Sequence, residues 1–401
     1  MIRWSAFFTA SFLVFSCAGS EGGSKNEGDA PPGWGENFLL NLVDNIVIPR
    51  AQSFKEKASI LKTRVDDYCQ SPQGTMEQKA SLKEAKLAYV ATMKEWQHLE
   101  LMQFGPLKEN SRQVKNAIYA FPVRSNLCKI RQNGPLADGP LFSLTDAPVE
   151  EKGLGALSYL LYGDESLDSC SQAYQADYGL LKGDGFQNSC SYMLSIASDI
   201  EEQADDLVKK WDIQRDGFVS GRLYNGTKNT LIEVLDALFY LDEKVKDIKI
   251  GQPAGIDRER CQEGSCPALV EFPIAQISKE AILANVSAFQ EIVTGDSQSQ
   301  DGFGFVEVLE GLGSKASSDQ VVEDLAAFLA NMKSEAVGEL SLKELSEDIV
   351  PNRCQATSSQ LRFVELCALY QDLKKVTDWL KEDFLKIIEF ELPHRGNKDG
   401  D

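Results

Sequence analysis

Few side chains in this sequence combine into acid–base or metal chemistry. Only two histidines are present, His98 and His394. A hydrolytic zinc centre needs several nitrogen, thiolate or carboxylate ligands and an open position for water. His98 falls two positions after Trp96, opposite the apolar stripe of its helix, which predicts a surface position or a local hydrogen bond. His394 lies in a polar tail. Glu100, one turn beyond Trp96, falls on the inward face instead. A buried carboxylate needs a partner or a raised pKa. A salt bridge to Arg124 or Lys152 is the expected structural role, and membership of a ligand site is the functional alternative. No GxSxG elbow, P-loop or dinucleotide fingerprint occurs. Asp296 to Gly302 resembles a calcium loop with misplaced acids and reads as a loop. The acidic pairs at 201–206 read as a solvated helix flank.

A second stretch, Lys152 to Gly163, carries spacing of a different kind. Asp146, Pro148, Glu150 and Glu151 precede it, as suits the positively polarised first turn of a helix. Leu154, Leu157, Leu160 and Leu161 recur at helical spacing and give one apolar face. Gly155 and Ser158 share the neighbouring face. The pattern predicts a short buried helix with a small-residue side that another segment approaches closely.

This stretch resembles the imelysin-like family, bacterial envelope proteins once classed as metallopeptidases and implicated in iron acquisition. The family's GxHxxE motif begins at Gly153, and Tyr159-Leu160-Leu161-Tyr162-Gly163 matches the run that follows it. Gly155 stands at the histidine position and Ser158 at the glutamate position, so both groups able to bind a metal are replaced. Trp96, Glu100, Phe104, Gly105 and Pro106 match a W-x-x-x-E-x-x-x-F-G-P block, Pro122 follows where a proline is expected, and Leu392 to Asp401 resembles a decayed closing segment. The resemblance spans roughly 36–392. It implies an all-α protein of two tandem four-helix bundles, with a ligand or partner cleft involving Trp96, Glu100, Arg124, Gly153, Gly155, Ser158 and Tyr159. It implies no catalytic and no metal-binding residue.

Three functions remain open on this reading. One is a non-catalytic envelope lipoprotein that binds a small ligand or a protein and is linked to iron or haem acquisition. The second is a metal-dependent peptidase, as the family was first classed. The third is a cell-surface scaffold that binds protein or polysaccharide. No cofactor is expected, although lone carboxylates remain compatible with weak iron binding, because hard cations accept oxygen ligands.

The address is written at the start of the chain. Arg3 and the apolar run from Phe7 to Phe15 predict a signal peptide over 1–16, too short to span a bilayer once mature. Val14-Phe15-Ser16-Cys17 reads as a lipobox, with lipid on Cys17. Residues 17–35, rich in Gly, Ser, Asn and Asp, form a flexible tether. Ala18 after the cysteine resembles the pattern sorted to the bacterial outer membrane, so the membrane is a partner through the anchor. A net charge of −20 excludes nucleic-acid binding, which requires a basic face.

Nine cysteines are present, and setting Cys17 aside leaves an even number. No CxxC pair or His/Cys cluster occurs, so disulfides are expected. Spacing and the helix plan favour Cys69–Cys128, Cys170–Cys190, Cys261–Cys266 and Cys354–Cys367, among many connectivities.

Helical periodicity fills the rest. Stripes run from Leu40 to Tyr68 with a bend at Pro49, from Leu82 to Glu100 after a Thr75/Gln78 capping box, and from Met193 to Trp211. Residues 107–144 read as irregular. Further stripes run from Leu231 to Ile248, from Ile282 to Val293 after a Ser278 cap, near Phe305 to Leu312, from Val322 to Leu340 and from Leu366 to Ile387. No stretch alternates with period two, so no sheet is predicted. The expected units are an N-terminal bundle over 36–215, a C-terminal bundle over 216–392 and a polar tail over 393–401, since one core seldom extends through so long a chain.

Overall fold

The computed structural model of the chain describes residues 32–139, 142–163, 181–257, 259–262, 264–297, 302–347 and 365–388. The expected signal peptide, Cys17, most of the tether and the polar tail lie outside the described residues. Among those described, the structure is helical with no strand, as the all-α reading requires.

The first long helix is built in two parts. Helix α1 (Trp34–Asn41) passes through a π-helical turn, Leu42–Val47, into α2 (Ile48–Gln70). The π turn, where the coil widens, ends just before Pro49, the position of the expected bend. Helix α3 (Met76–Leu101) starts as the capping pattern predicts. Thr75 Oγ1 accepts from the Gln78 amide at 3.1 Å, and Gln78 Oε1 accepts from the Gly74 amide at 2.8 Å. The stretch read as irregular holds two helices, α4 (Glu109–Ile118) and α5 (Leu127–Leu136). The first is broken near its start by Asn110, Ser111 and Arg112 in left-handed conformation, with φ of 47°, 57° and 63°. Both are short and polar-rich, so periodicity alone does not reveal them. The motif helix α6 (Gly153–Tyr162) follows a 3₁₀ turn, Val149–Glu151. Helix α7 (Leu181–Val219) packs along α2, α5 and α6.

In the second half, α8 (Thr227–Leu238) leads into a π-helical segment, Leu241–Gly251. Then come α9 (Ser278–Thr294), α10 (Phe305–Gly311), α11 (Lys315–Met332) and α12 (Glu365–Asp378), the last extended by a π turn, Trp379–Phe384. Ser278 does not cap α9; its hydroxyl accepts from the Phe272 amide at 3.0 Å and anchors the preceding loop. Helix α3 packs against α2 on one side and α9 on the other. The buried apolar side chains form one connected core from Phe38 to Ile388.

Two expected disulfides are corrected. Cys69 pairs with Cys190, not with Cys128, because the C-terminal end of α2 lies beside α7. The same bond excludes Cys170–Cys190. Cys261–Cys266 is present as expected. Cys128 and Cys367 are also disulfide-bonded, while Cys170 and Cys354 lie outside the described residues.

Candidate functional site

The chemistry collects where α3, α4, the π segment 241–251, the loop before α9 and α9 itself converge. Helix α3 delivers Gln97 and Glu100 from its last turns. The π segment delivers Lys249. Its buried residues come in pairs, Leu241/Asp242, Val245/Lys246 and Lys249/Ile250. That repeat of four suits the wider π coil and turns lysines inward that a 3.6-residue period would place elsewhere.

Lys249 is wholly buried, and four side-chain oxygens surround its ammonium. Gln97 Oε1 lies at 2.5 Å, Asn285 Oδ1 at 2.8 Å, Glu271 Oε2 at 3.1 Å and Glu100 Oε2 at 3.5 Å. Two rings close the cage, Phe121 with its centroid 4.9 Å from the nitrogen and Tyr240 at 5.7 Å, an arrangement that adds cation–π attraction. The Asn285 amide is itself fixed by donating to the Gln97 carbonyl at 2.6 Å.

Lys115 supplies a second cation. Its ammonium lies 3.7 Å from Glu100 Oε1 and donates to the Phe121 carbonyl at 2.5 Å. Burial lowers the Lys115 pKa, and the Glu100 charge works against that. The Tyr119 hydroxyl donates to Glu271 Oε1 at 3.0 Å, and its ring stacks on Phe121 and Phe272. Burial pushes the Glu271 carboxyl up to about 7; Lys249 opposes this and the like charge of Glu100 adds to it. Two carboxylates and two lysines thus balance formally in a space closed to solvent. Charges taken out of water are tolerated only with such pairing and hydrogen bonding.

The residues expected at the cleft divide into three groups. Glu100 is central, but its partners are Lys115 and Lys249 rather than Arg124 or Lys152. Arg124 instead donates to the Ala268 and Leu269 carbonyls at 3.0 and 2.5 Å, strapping down the loop that carries Glu271. Lys152 reaches the Thr145 carbonyl at 3.1 Å. Trp96 is a core residue packed on Phe54, ring centroids 5.4 Å apart. Gly105, at the end of the same block, has φ +54°, and a Cβ there would lie 2.7 Å from the Trp211 ring.

The motif helix abuts this centre without entering it. Gly153 has φ +66°, and a Cβ would lie 2.4 Å from the Ile118 carbonyl oxygen, so α6 starts directly on the end of α4. At the histidine position, a Cβ on Gly155 would meet Ser125 Oγ at 2.6 Å and the Tyr119 ring at 3.5 Å. Tyr119 therefore links the motif helix to Glu271. Ser158, buried, faces Tyr89, whose hydroxyl donates to the Leu154 carbonyl at 3.2 Å. Tyr159 is buried beneath the Arg131 guanidinium, 5.7 Å from its ring.

His98 is corrected from exposed to buried; the expected local contact is present, with Nδ1 3.0 Å from the Lys94 carbonyl. Burial first, and then the Arg50 charge, lower its pKa to about 3. A catalytic metal of the kind a metallopeptidase needs does not fit these residues. Gly155 has no donor, Ser158 is a neutral hydroxyl held near Tyr89, and the Glu100 carboxylate faces two ammonium groups. Among the described residues, no three His, Cys, Asp or Glu side chains form a ligand set.

Sequence reading missed Gln97, Lys115, Tyr119, Lys249, Glu271 and Asn285. Lys115 and Tyr119 lie in the stretch read as irregular, and Glu271 in a loop.

Comparisons with known proteins agree with this architecture. No curated protein matches the chain significantly. An imelysin-like protein from Psychrobacter arcticum 273-4 has a similar structure, with a TM-score of 0.66 at 17% identity, covering 91% of this chain and 99% of that one. A structure from Parabacteroides distasonis ATCC 8503, named for an iron-regulated protein A precursor, gives a TM-score of 0.62 at 15% identity, covering 88% and 97%. The family model described as imelysin matches residues 47–375. The chain belongs to the imelysin family.

Proposed function

We propose that this chain is a non-catalytic imelysin-type envelope protein, lipid-anchored through Cys17, that serves an iron-linked process by binding rather than by cleavage. The carrying observation is the Lys249 ammonium, which fills the charged centre beside the motif helix and leaves no coordination position for an activated water. The similarity to a structure named for an iron-regulated precursor supports the iron-linked part. In this reading the motif helix is architecture, and two tandem bundles meet at the charged seam to present a surface for a ligand or protein partner. No helix among the described residues is long and apolar enough to cross a membrane, so membrane attachment rests on the anchor.

The test uses the purified mature protein and cells that carry its gene. The protein should leave unfolded casein intact with or without added zinc, and deletion of the gene should slow growth on limiting iron. Chelator-sensitive cleavage by the protein overturns the non-catalytic reading. Equal growth with and without the gene under iron limitation overturns the iron link.

A further inference from the structure

We infer that the oxygen cage at the seam is a cation site whose cation is the chain's own Lys249 ammonium. An ammonium has three protons to donate, yet four side-chain oxygens lie within 3.5 Å of this one, and two aromatic faces stand over it. Two amide carbonyl oxygens and two carboxylates make the mixed, oxygen-only donor set that hard cations such as calcium and manganese take.

A second observation points the same way. Glu271 Oε2 accepts no well-aligned hydrogen bond although the Lys249 ammonium lies 3.1 Å away, and the buried Tyr240 hydroxyl turns to Glu100, whose Oε1 lies 3.7 Å from Lys115. Glu100 is among the groups that raise the Tyr240 pKa, after burial itself. Lone pairs therefore remain around the centre beyond those the lysine satisfies. Buried polar atoms are seldom left so. An ordinary buried ion pair needs only one acceptor for each proton. This centre has the surplus of a coordination sphere, held rigid from behind by Asn285 on the Gln97 carbonyl, Tyr119 on Glu271 and Arg124 on the 268–269 carbonyls.

The ligand class is a hard cation with oxygen preference, and the wild-type chain is predicted not to take one up here. Shortening the lysine should open the site. Lys249→Ala is titrated with manganese chloride alone, with bound metal read by electron paramagnetic resonance and stability by thermal melting. The variant should bind one manganese per chain and melt at a higher temperature with manganese than without it. Wild type should show neither effect. Adding Glu271→Gln to the variant should weaken manganese at least tenfold, which places the metal in the cage. If Lys249→Ala does not fold alone, the same titration is read as refolding yield, which manganese should raise.

Absence of any manganese effect on either readout overturns the proposal. So does equal binding by wild type, or binding that survives Glu271→Gln. The inference rests on the non-catalytic reading of this centre, but the two fail separately. Chelator-sensitive cleavage by wild type sinks the function, whereas an inactive wild type with a manganese-blind Lys249→Ala sinks only the cation site.

Discussion

The Lys249 ammonium and the Glu271 carboxylate lie 3.1 Å apart with both side chains wholly shielded from solvent. They belong to different segments of the second half, and each also contacts the first half, Lys249 through Gln97 and Glu100 and Glu271 through Tyr119. Removing the lysine leaves Glu271 and Glu100 with one nearby ammonium, Lys115, in place of two, and with the Tyr119 hydroxyl on Glu271. Lys249→Met should therefore cost about 3–5 kcal/mol, the range for a buried pair that loses one partner. Lys249→Met with Glu271→Gln should cost less than the two single changes added, by at least about 1 kcal/mol of coupling. Urea unfolding of the four proteins measures this; additivity would mean the two groups do not interact.

Glu271 also sets a pH dependence. Its folded pKa is raised to about 7, chiefly by burial, above the ordinary carboxylate value of 4.5. The folded protein holds this proton more tightly than the unfolded chain does. The associated stability is fully present below about pH 4.5 and is lost as pH rises through about 7. Relative to Glu271→Gln, wild type should become progressively less stable between those limits. A flat difference across the window would contradict the burial of an ionisable group there.

His98 acts with the opposite sign. Its folded pKa is depressed to about 3, by burial and then by Arg50, from an ordinary 6.5. Stability from the neutral imidazole is present above about 6.5 and is lost as pH falls through about 3. The stability difference between wild type and His98→Leu should shrink on acidification across that range. Thermal melts in matched buffers decide it, and a flat difference would show the ring to be solvated.

The corrected disulfide predicts a specific thiol. Cys69→Ser should expose one new reactive sulfur at Cys190, identified by alkylation without reductant and peptide mass. The variant should lose about 2–5 kcal/mol, the usual cost of removing a native bridge. Labelling at Cys128 instead would restore the pairing first expected.

Two glycines of the motif helix should respond differently. Gly153→Ala meets two backbone carbonyls in a left-handed conformation, and backbone cannot step aside, so it should cost at least about 2 kcal/mol. Gly155→Ala meets the end of the Ser125 side chain, which can turn, and should cost less than about 1 kcal/mol. Gly155→Ala with Ser125→Ala should be milder still. Equal losses at the two positions would contradict the packing described here.

How much of this the sequence disclosed depends on which force placed each residue. The long stripes from Leu40, Leu82, Met193 and Leu366 mark helices because burying an apolar face leaves a period that a reader can count. The motif around Gly153 was equally legible, because its glycines and aromatics stand in fixed spacing. Lys249 was not. It reads as a charge on a solvated flank under a 3.6-residue period, and only the π coil turns it inward. Arg124 reaches the Ala268 and Leu269 carbonyls next to Glu271 from one loop to another, where contact is set by tertiary closure and leaves no period at all. Glu100 was placed inward correctly, yet its partners come from 15 and 149 residues away along the chain, and a single sequence carries no signal that joins such positions.

The Cys69–Cys190 bond joins residues 121 positions apart in sequence. Between them run α3, α4, α5 and α6, so Gln97, Glu100, Lys115 and Tyr119 all sit on one covalent ring. A single backbone cut anywhere on that ring leaves the two chain ends tethered, and the halves of the charged seam stay within reach of each other. Electrophoresis with and without reductant would then disagree about whether such a molecule had been broken.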